Sequence, residues 1–171
     1  MSKIKKIDIN ERDIAVILDS GVSISKTVDS RVLAIIRSSL DKLVGVEVFD
    51  LEYIDSIIKK QGDRDSIFFV SKFFLELGAL EMNKPIYKYI GNCCEIPCIC
   101  DNYILDNYNL IDFDNYFTIT DIIVDVLNLS NVVLLSNDPI VCDLAIGLGV
   151  SFIKTSDKSV IERLNYLSSI V

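Results

Sequence analysis

The sequence predicts an α/β fold, a mostly parallel central sheet with helices on both faces. Three observations predict it. Short apolar runs at 14–18, 132–135 and 150–153 have the length and β-branched content of buried strands. Segments of helical period separate them. Between 118 and 153 the chain reads helix, strand, polar turn, helix, strand, the alternation of a parallel sheet. No repeat or low-complexity linker divides the 171 residues, so one domain over 1–171 is expected, with an insertion around 83–116.

Each element has a local reason. Residues 14–18 are continuously apolar and stop at Asp19, where Ser20-Gly21 lets the chain turn. Val28, Val32, Ile35, Ile36, Leu40 and Leu43 recur at helical spacing. Residues 45–49 read as a short strand, and Asp50 suits the cap of a helix over 51–60. Residues 61–65 form a turn. Residues 66–82 are long and apolar enough for a helix that stops before Asn83-Lys84-Pro85. Within 92–105 the better strand candidate is 96–100, and 106–115 reads as loop or short helix. Thr120-Asp121 opens a helix over 122–129. The strand 132–135, the turn Ser136-Asn137-Asp138-Pro139, a second helix and the strand 150–153 follow. A last helix spans 156–167, with Asp157 in its first turn.

Half the residues are apolar, which argues against disorder. No apolar run reaches the length of a membrane span, and the first residues lack the apolar segment of a secretory signal. A cytoplasmic protein without a membrane partner is therefore expected. The net charge of −8 argues against a generally basic nucleic-acid surface, and the N-terminal half holds most of the basic residues. Of five cysteines, four cluster as Cys93, Cys94, Cys98 and Cys100. Structural zinc sites bring separated ligand pairs together, whereas these fall within one short segment. Buried reduced thiols are expected here, and no zinc.

With no histidine in the chain, carboxylates carry the most plausible chemistry. Asp19 and Asp138 follow apolar strands, and Asp121 opens a helix. Each also reads as an ordinary cap. Asp125 lies one turn after Asp121 on the same helix face. Carboxylates at the C-terminal ends of parallel strands lie where α/β sheets bind ligands. Oxygen ligands alone suit Mg²⁺ or Mn²⁺.

Three segments carry a resemblance to the PIN-domain family of metal-dependent ribonucleases, its toxin-type and archaeal ribosome-assembly-type members in particular. They are Ile17-Leu18-Asp19-Ser20, Thr120-Asp121-Ile122-Ile123-Val124, and Leu134-Leu135-Ser136-Asn137-Asp138 with the later Leu148-Gly149-Val150. The resemblance implies a three-layer α/β/α fold and Mg²⁺ or Mn²⁺ held by Asp19, Asp121 and Asp138. It implies RNA as substrate, and a homodimer or protein partner. Glu52 matches the family's early-helix acid, with Asp50, Asp55 and Glu76 as competitors. The family's second acid after the closing strand falls here on Ile140, and Asp143 is the substitute one turn on. Asp125 and Asp143 are thus further metal-ligand candidates. Two other readings stay open. One is a catalytically degenerate PIN-like or other α/β module that binds RNA or protein. The other is a doubly wound fold for a phosphate ligand, though no G-x-G-x-x-G or P-loop motif is present.

Overall fold

The computed structural model describes residues 2–91, 93, 95–100 and 107–171. The chain divides into two compact units. The first is Met1–Lys84 with Phe117–Thr120, and the second is Pro85–Tyr116 with Asp121–Val171.

The first unit opens with a three-stranded meander of β1 (Ile4–Asn10), β2 (Asp13–Leu18) and β3 (Ser23–Thr27), in that order. Ile14, Val16 and Leu18 of β2 point into the core at the period of two. The strand expected at 14–18 therefore exists, but it lies in an antiparallel sheet and not in the parallel one. The reason is connection length. Only Glu11-Arg12 joins β1 to β2, and only residues 19–22 join β2 to β3, whereas a parallel crossover needs a dozen residues or more. The register of β1 shifts between Ile4 and Lys6, so its inward residues Ile4 and Ile7 stand three apart. That irregularity hides the strand from a period-of-two reading.

Three helices complete the first unit. α1 (Ser30–Leu43) is capped by Asp29, which accepts hydrogen bonds from the Arg31 and Val32 N–H groups. α2 (Leu51–Ile58) is capped by Asp50, as expected, through the Tyr53 N–H. α3 (Arg64–Glu81) is capped by Asp63 and buries Phe73 and Phe74, whose rings meet edge to face at 5.6 Å. Residues 45–49 form no strand, and a single bridge between Lys3 and Glu47 is their sheet-like contact. Gly45 takes φ of +90° there, which ordinary side chains resist.

The second unit holds a four-stranded parallel sheet. Its strands are β4 (Cys98–Ile99), β5 (Asn109–Asp112), β6 (Val132–Leu135) and β7 (Phe152–Lys154), ordered β4-β7-β6-β5. Its helices are α4 (Ile86–Ile90), α5 (Ile119–Asn128), whose first two residues belong to the first unit, α6 (Ile140–Leu148) and α7 (Lys158–Ser168). Residues 83–116, expected as an insertion, supply α4 and both edge strands. Of the stretch 106–115, expected as loop or short helix, residue 106 lies outside the described residues, Asn109–Asp112 form β5, and a 3₁₀ turn follows over Phe113–Asn115. α6 is apolar nearly all round and buried, and Gly149 ends it at φ +70°. Gly147 lets α6 meet α4 closely, since a Cβ there would lie 2.7 Å from the Tyr87 carbonyl oxygen.

Among the described residues no helix is long and apolar enough to cross a membrane. Of the cysteine cluster, Cys100 is buried, Cys93 half-buried and Cys98 exposed, while Cys94 lies outside the described residues. The expectation of a largely buried cluster is corrected at Cys98. It lies on a two-residue edge strand with a neighbour on one side only.

Candidate functional site

The candidate acids fall in both units. In the first, Asp19 stands just past β2, exposed to solvent. Its Oδ1 accepts the Lys3 N–H at 2.9 Å, and its own N–H donates to the Lys3 carbonyl at 3.0 Å. This pair ties the end of β2 to the start of the chain, the structural role that its alternative reading as a cap describes. Glu52 is exposed in the first turn of α2. Its competitor Asp55 is 3% exposed and accepts from the Ser71 hydroxyl at 3.0 Å and the Thr120 N–H at 3.2 Å. Ser71 in turn accepts the Ile119 N–H at 2.9 Å. Asp55 thus anchors the segment Phe117–Thr120 within the first unit. Glu76 pairs with Lys26, whose ammonium lies over the rings of Phe69 and Phe73.

In the second unit, Asp121 stands in the first turn of α5 and Asp125 one turn later. Asp125 accepts the Tyr116 hydroxyl at 2.6 Å. Burial, the Asp125 bond and the charges of Asp125 and Asp121 together push the Tyr116 phenol up to about 12. Asp138 follows β6 at the start of α6. Its Oδ1 accepts the Ile140 N–H at 2.9 Å, and its N–H donates to Ser136 Oγ at 3.0 Å. Asn137 Oδ1 accepts from the Thr155 hydroxyl at 3.2 Å and the Ser156 N–H at 3.4 Å, joining the turns after β6 and β7.

Asp143, expected as a further metal ligand, is instead 2% exposed and held by both arms of the Arg163 guanidinium, at 3.0 and 2.9 Å. Burial pushes its carboxyl above the usual range, and the guanidinium opposes that shift. The pair clamps α6 to α7, a bidentate geometry that belongs to packing. The Cys142 thiol beside it is pushed up to about 12, mainly by burial.

Sequence reasoning passed over Asp112 and Asp114. Asp112 ends β5, pairs in register with Leu135 of β6, and caps the 3₁₀ turn through the Asp114 N–H at 3.0 Å. The only signal was Leu110-Ile111 between polar neighbours, too short for a strand pattern. With Asp112 in place, each of three adjacent parallel strands runs into an aspartate. Asp112 closes β5, Asp138 follows β6, and Asp157 follows β7, where it caps α7 through the Ser159 N–H at 2.7 Å.

Charge differs between the units. The 25 acidic and 17 basic residues divide as 14 and 13 in the first unit and 11 and 4 in the second. Among the described residues, neither unit groups three Asp, Glu, Cys or His side chains closely enough to surround an ion as the side chains stand. No family model matches the chain, and no curated relative matches it.

Proposed function

We propose that the chain is a PIN-like ribonuclease that hydrolyses RNA phosphodiester bonds with a divalent cation. Carboxylates at the C-terminal end of the second unit's parallel sheet would hold that cation. One observation carries this reading: the adjacent parallel strands β5 and β6 run into Asp112 and Asp138, and α5, which connects them, opens with Asp121. Ligand sites of α/β sheets lie at that end. The donors are all oxygen, the set preferred by Mg²⁺ and Mn²⁺. Asp121 and Asp125 stand one turn apart on α5, and a cation is the natural counterweight to the two carboxylates.

Asp112, Asp121 and Asp138 would hold the ion, with Asp125 beside them. When bound, such an ion activates water and neutralises charge on the scissile phosphate. The chain's own contribution is orientation. The Asp114 and Ile140 N–H groups fix one oxygen each of Asp112 and Asp138. Tyr116 holds Asp125 in place. Asp19 and Glu52 belong to the other unit and are not required. The resemblance that supports the reading then rests on the motifs around Asp121 and Asp138.

The test is cleavage of single-stranded and hairpin RNA with Mn²⁺, with and without chelator, alongside Mn²⁺ binding followed by its paramagnetic resonance. Asp112→Asn and Asp138→Asn should each abolish cleavage and weaken Mn²⁺ binding. Absence of both cleavage and Mn²⁺ binding in the wild-type chain would sink the proposal.

A second reading, a non-catalytic module for a protein partner, is favoured by one observation. α5 exposes Val124 and Leu127, the latter 70% exposed, beside Asp121 and Asp125. An apolar strip with an acidic margin suits a basic protein surface better than RNA. Intact RNA together with no Mn²⁺ binding is the outcome this reading expects.

A further inference from the structure

One cavity of the first unit plays no part in the reading above. It holds about 580 Å³ and opens where the β1–β2 turn meets the start of α1. That volume lies in the range of small-molecule sites. Glu11 and Arg12 come from the turn, and Val28 from the end of β3. Ser30, Leu33 and Arg37 come from α1. The three helix residues stand at i, i+3 and i+7, so they share one face.

Arg12 and Arg37 are exposed cations with no ion pair among the described residues. The nearby acids are otherwise engaged. Asp13 accepts the Thr27 hydroxyl, and Asp29 accepts two helix N–H groups and the Arg31 guanidinium. Those hydrogen bonds hold the Asp29 carboxyl below the usual range, the Val32 N–H contributing most. Val28 and Leu33, at 8% and 5% exposure, supply an apolar floor. Glu11 stands at the rim in the left-handed conformation, φ +46°, and the Arg12 carbonyl is fixed by the Val28 N–H at 2.7 Å. The turn that carries both residues is therefore held against β3.

The geometry points to a binding site for a nucleotide-class phosphate ester. Arg12 and Arg37 receive the phosphate, Val28 and Leu33 support the apolar face of the base or sugar, and Glu11 accepts a hydroxyl or amine hydrogen. Two guanidinium groups suit a phosphate better than a carboxylate-free apolar ligand, because each presents several fixed donors. A neutral ligand would leave both cations uncompensated. The site lies within the first unit, so the inference stands apart from the proposed nuclease centre.

The test is isothermal titration of the full chain with adenosine and uridine monophosphates, inorganic phosphate and a short single-stranded oligonucleotide, at low salt. Both nucleotides are expected to bind, and Arg12→Gln and Arg37→Gln each to weaken them about tenfold or more. Glu11→Gln should weaken the nucleotides and leave inorganic phosphate unchanged. All three side chains are exposed, so thermal melts should match the wild type and a folding defect would be visible. Tighter binding of the oligonucleotide, equally sensitive to both arginines, would assign the phosphate to a nucleic-acid strand. Absence of binding by every probe, or binding insensitive to both arginine substitutions, overturns the inference.

Discussion

The two units reach stable cores by different means. The first is nearly balanced in charge and builds on hairpins, with partners close in sequence. The second carries 11 acidic against 4 basic residues and builds on parallel pairing, with partners brought together by helical crossovers. Each buries one aspartate, and the comparison shows two ways to keep a buried carboxylate. In the first unit Asp55 accepts from the Ser71 hydroxyl and the Thr120 N–H, which tie α3 and the segment Phe117–Thr120 to α2. In the second, Asp143 is held by a full counter-charge on Arg163. The acidic unit places one of its few cations at its buried anion, Asp143.

The largest expected effect breaks that contrast directly. Asp143→Ala leaves the Arg163 guanidinium without its partner at a half-buried site and should cost about 3–5 kcal/mol. Segment-resolved hydrogen exchange should show the loss across α6 and α7 first. Equal loss of protection in the first unit would mean that the two units unfold as one, and the comparison would fall.

Asp55→Ala should cost about 3 kcal/mol, since it leaves buried donors of Ser71 and Thr120 unmatched. Here exchange should rise in α2, α3 and residues 117–120. A cost well under that of Asp143→Ala, measured by urea unfolding, would sharpen the difference between the two buried anchors.

Among the described residues, Ser39 is a buried polar group of the first unit whose side chain is unmatched. It is fully buried in α1, and its hydroxyl has no hydrogen-bond partner. Ser39→Ala should therefore stabilise by about 1 kcal/mol, with a higher urea midpoint at unchanged slope. A destabilised variant would show that the hydroxyl does have a partner.

The smallest effect is on pH dependence. Tyr116 has its folded value raised to about 12 from an ordinary 10. A raised value in the folded state means stabilisation that is complete below pH 10 and is lost as pH rises through 12. In Asp125→Asn the phenol should titrate closer to 10, read by its absorbance, and the stability loss between pH 10 and 12 should shrink. An unchanged titration would remove Asp125 as a cause and weaken the acidic field proposed around α5.

Much of the fold was legible locally. Asp50 opens α2 by the capping logic its neighbours announce, and the period of α1 is plain in the residues it buries. The unit from α5 to β7 was readable because its strand, turn and helix signals are each strong. The candidate site was legible only in part. Asp121, Asp125 and Asp138 were visible beside clear helix starts. Asp112 was not, because β5 has just two apolar residues, one of them exposed, and gains its strand character by pairing with β6.

By itself, then, the sequence determined that the longer helices form and roughly where, and that the chain would build apolar strands followed by carboxylates. Those are properties of neighbours a turn apart, set by side-chain periodicity and local hydrogen bonding. Only the tertiary structure decided which strands pair and in which sense. It placed β2 among hairpins, drew β5 from a segment without clear signal, and gave Asp143 to Arg163 twenty residues away. Pairing is a contest between distant partners for the same backbone groups, and no stretch of adjacent residues records its outcome.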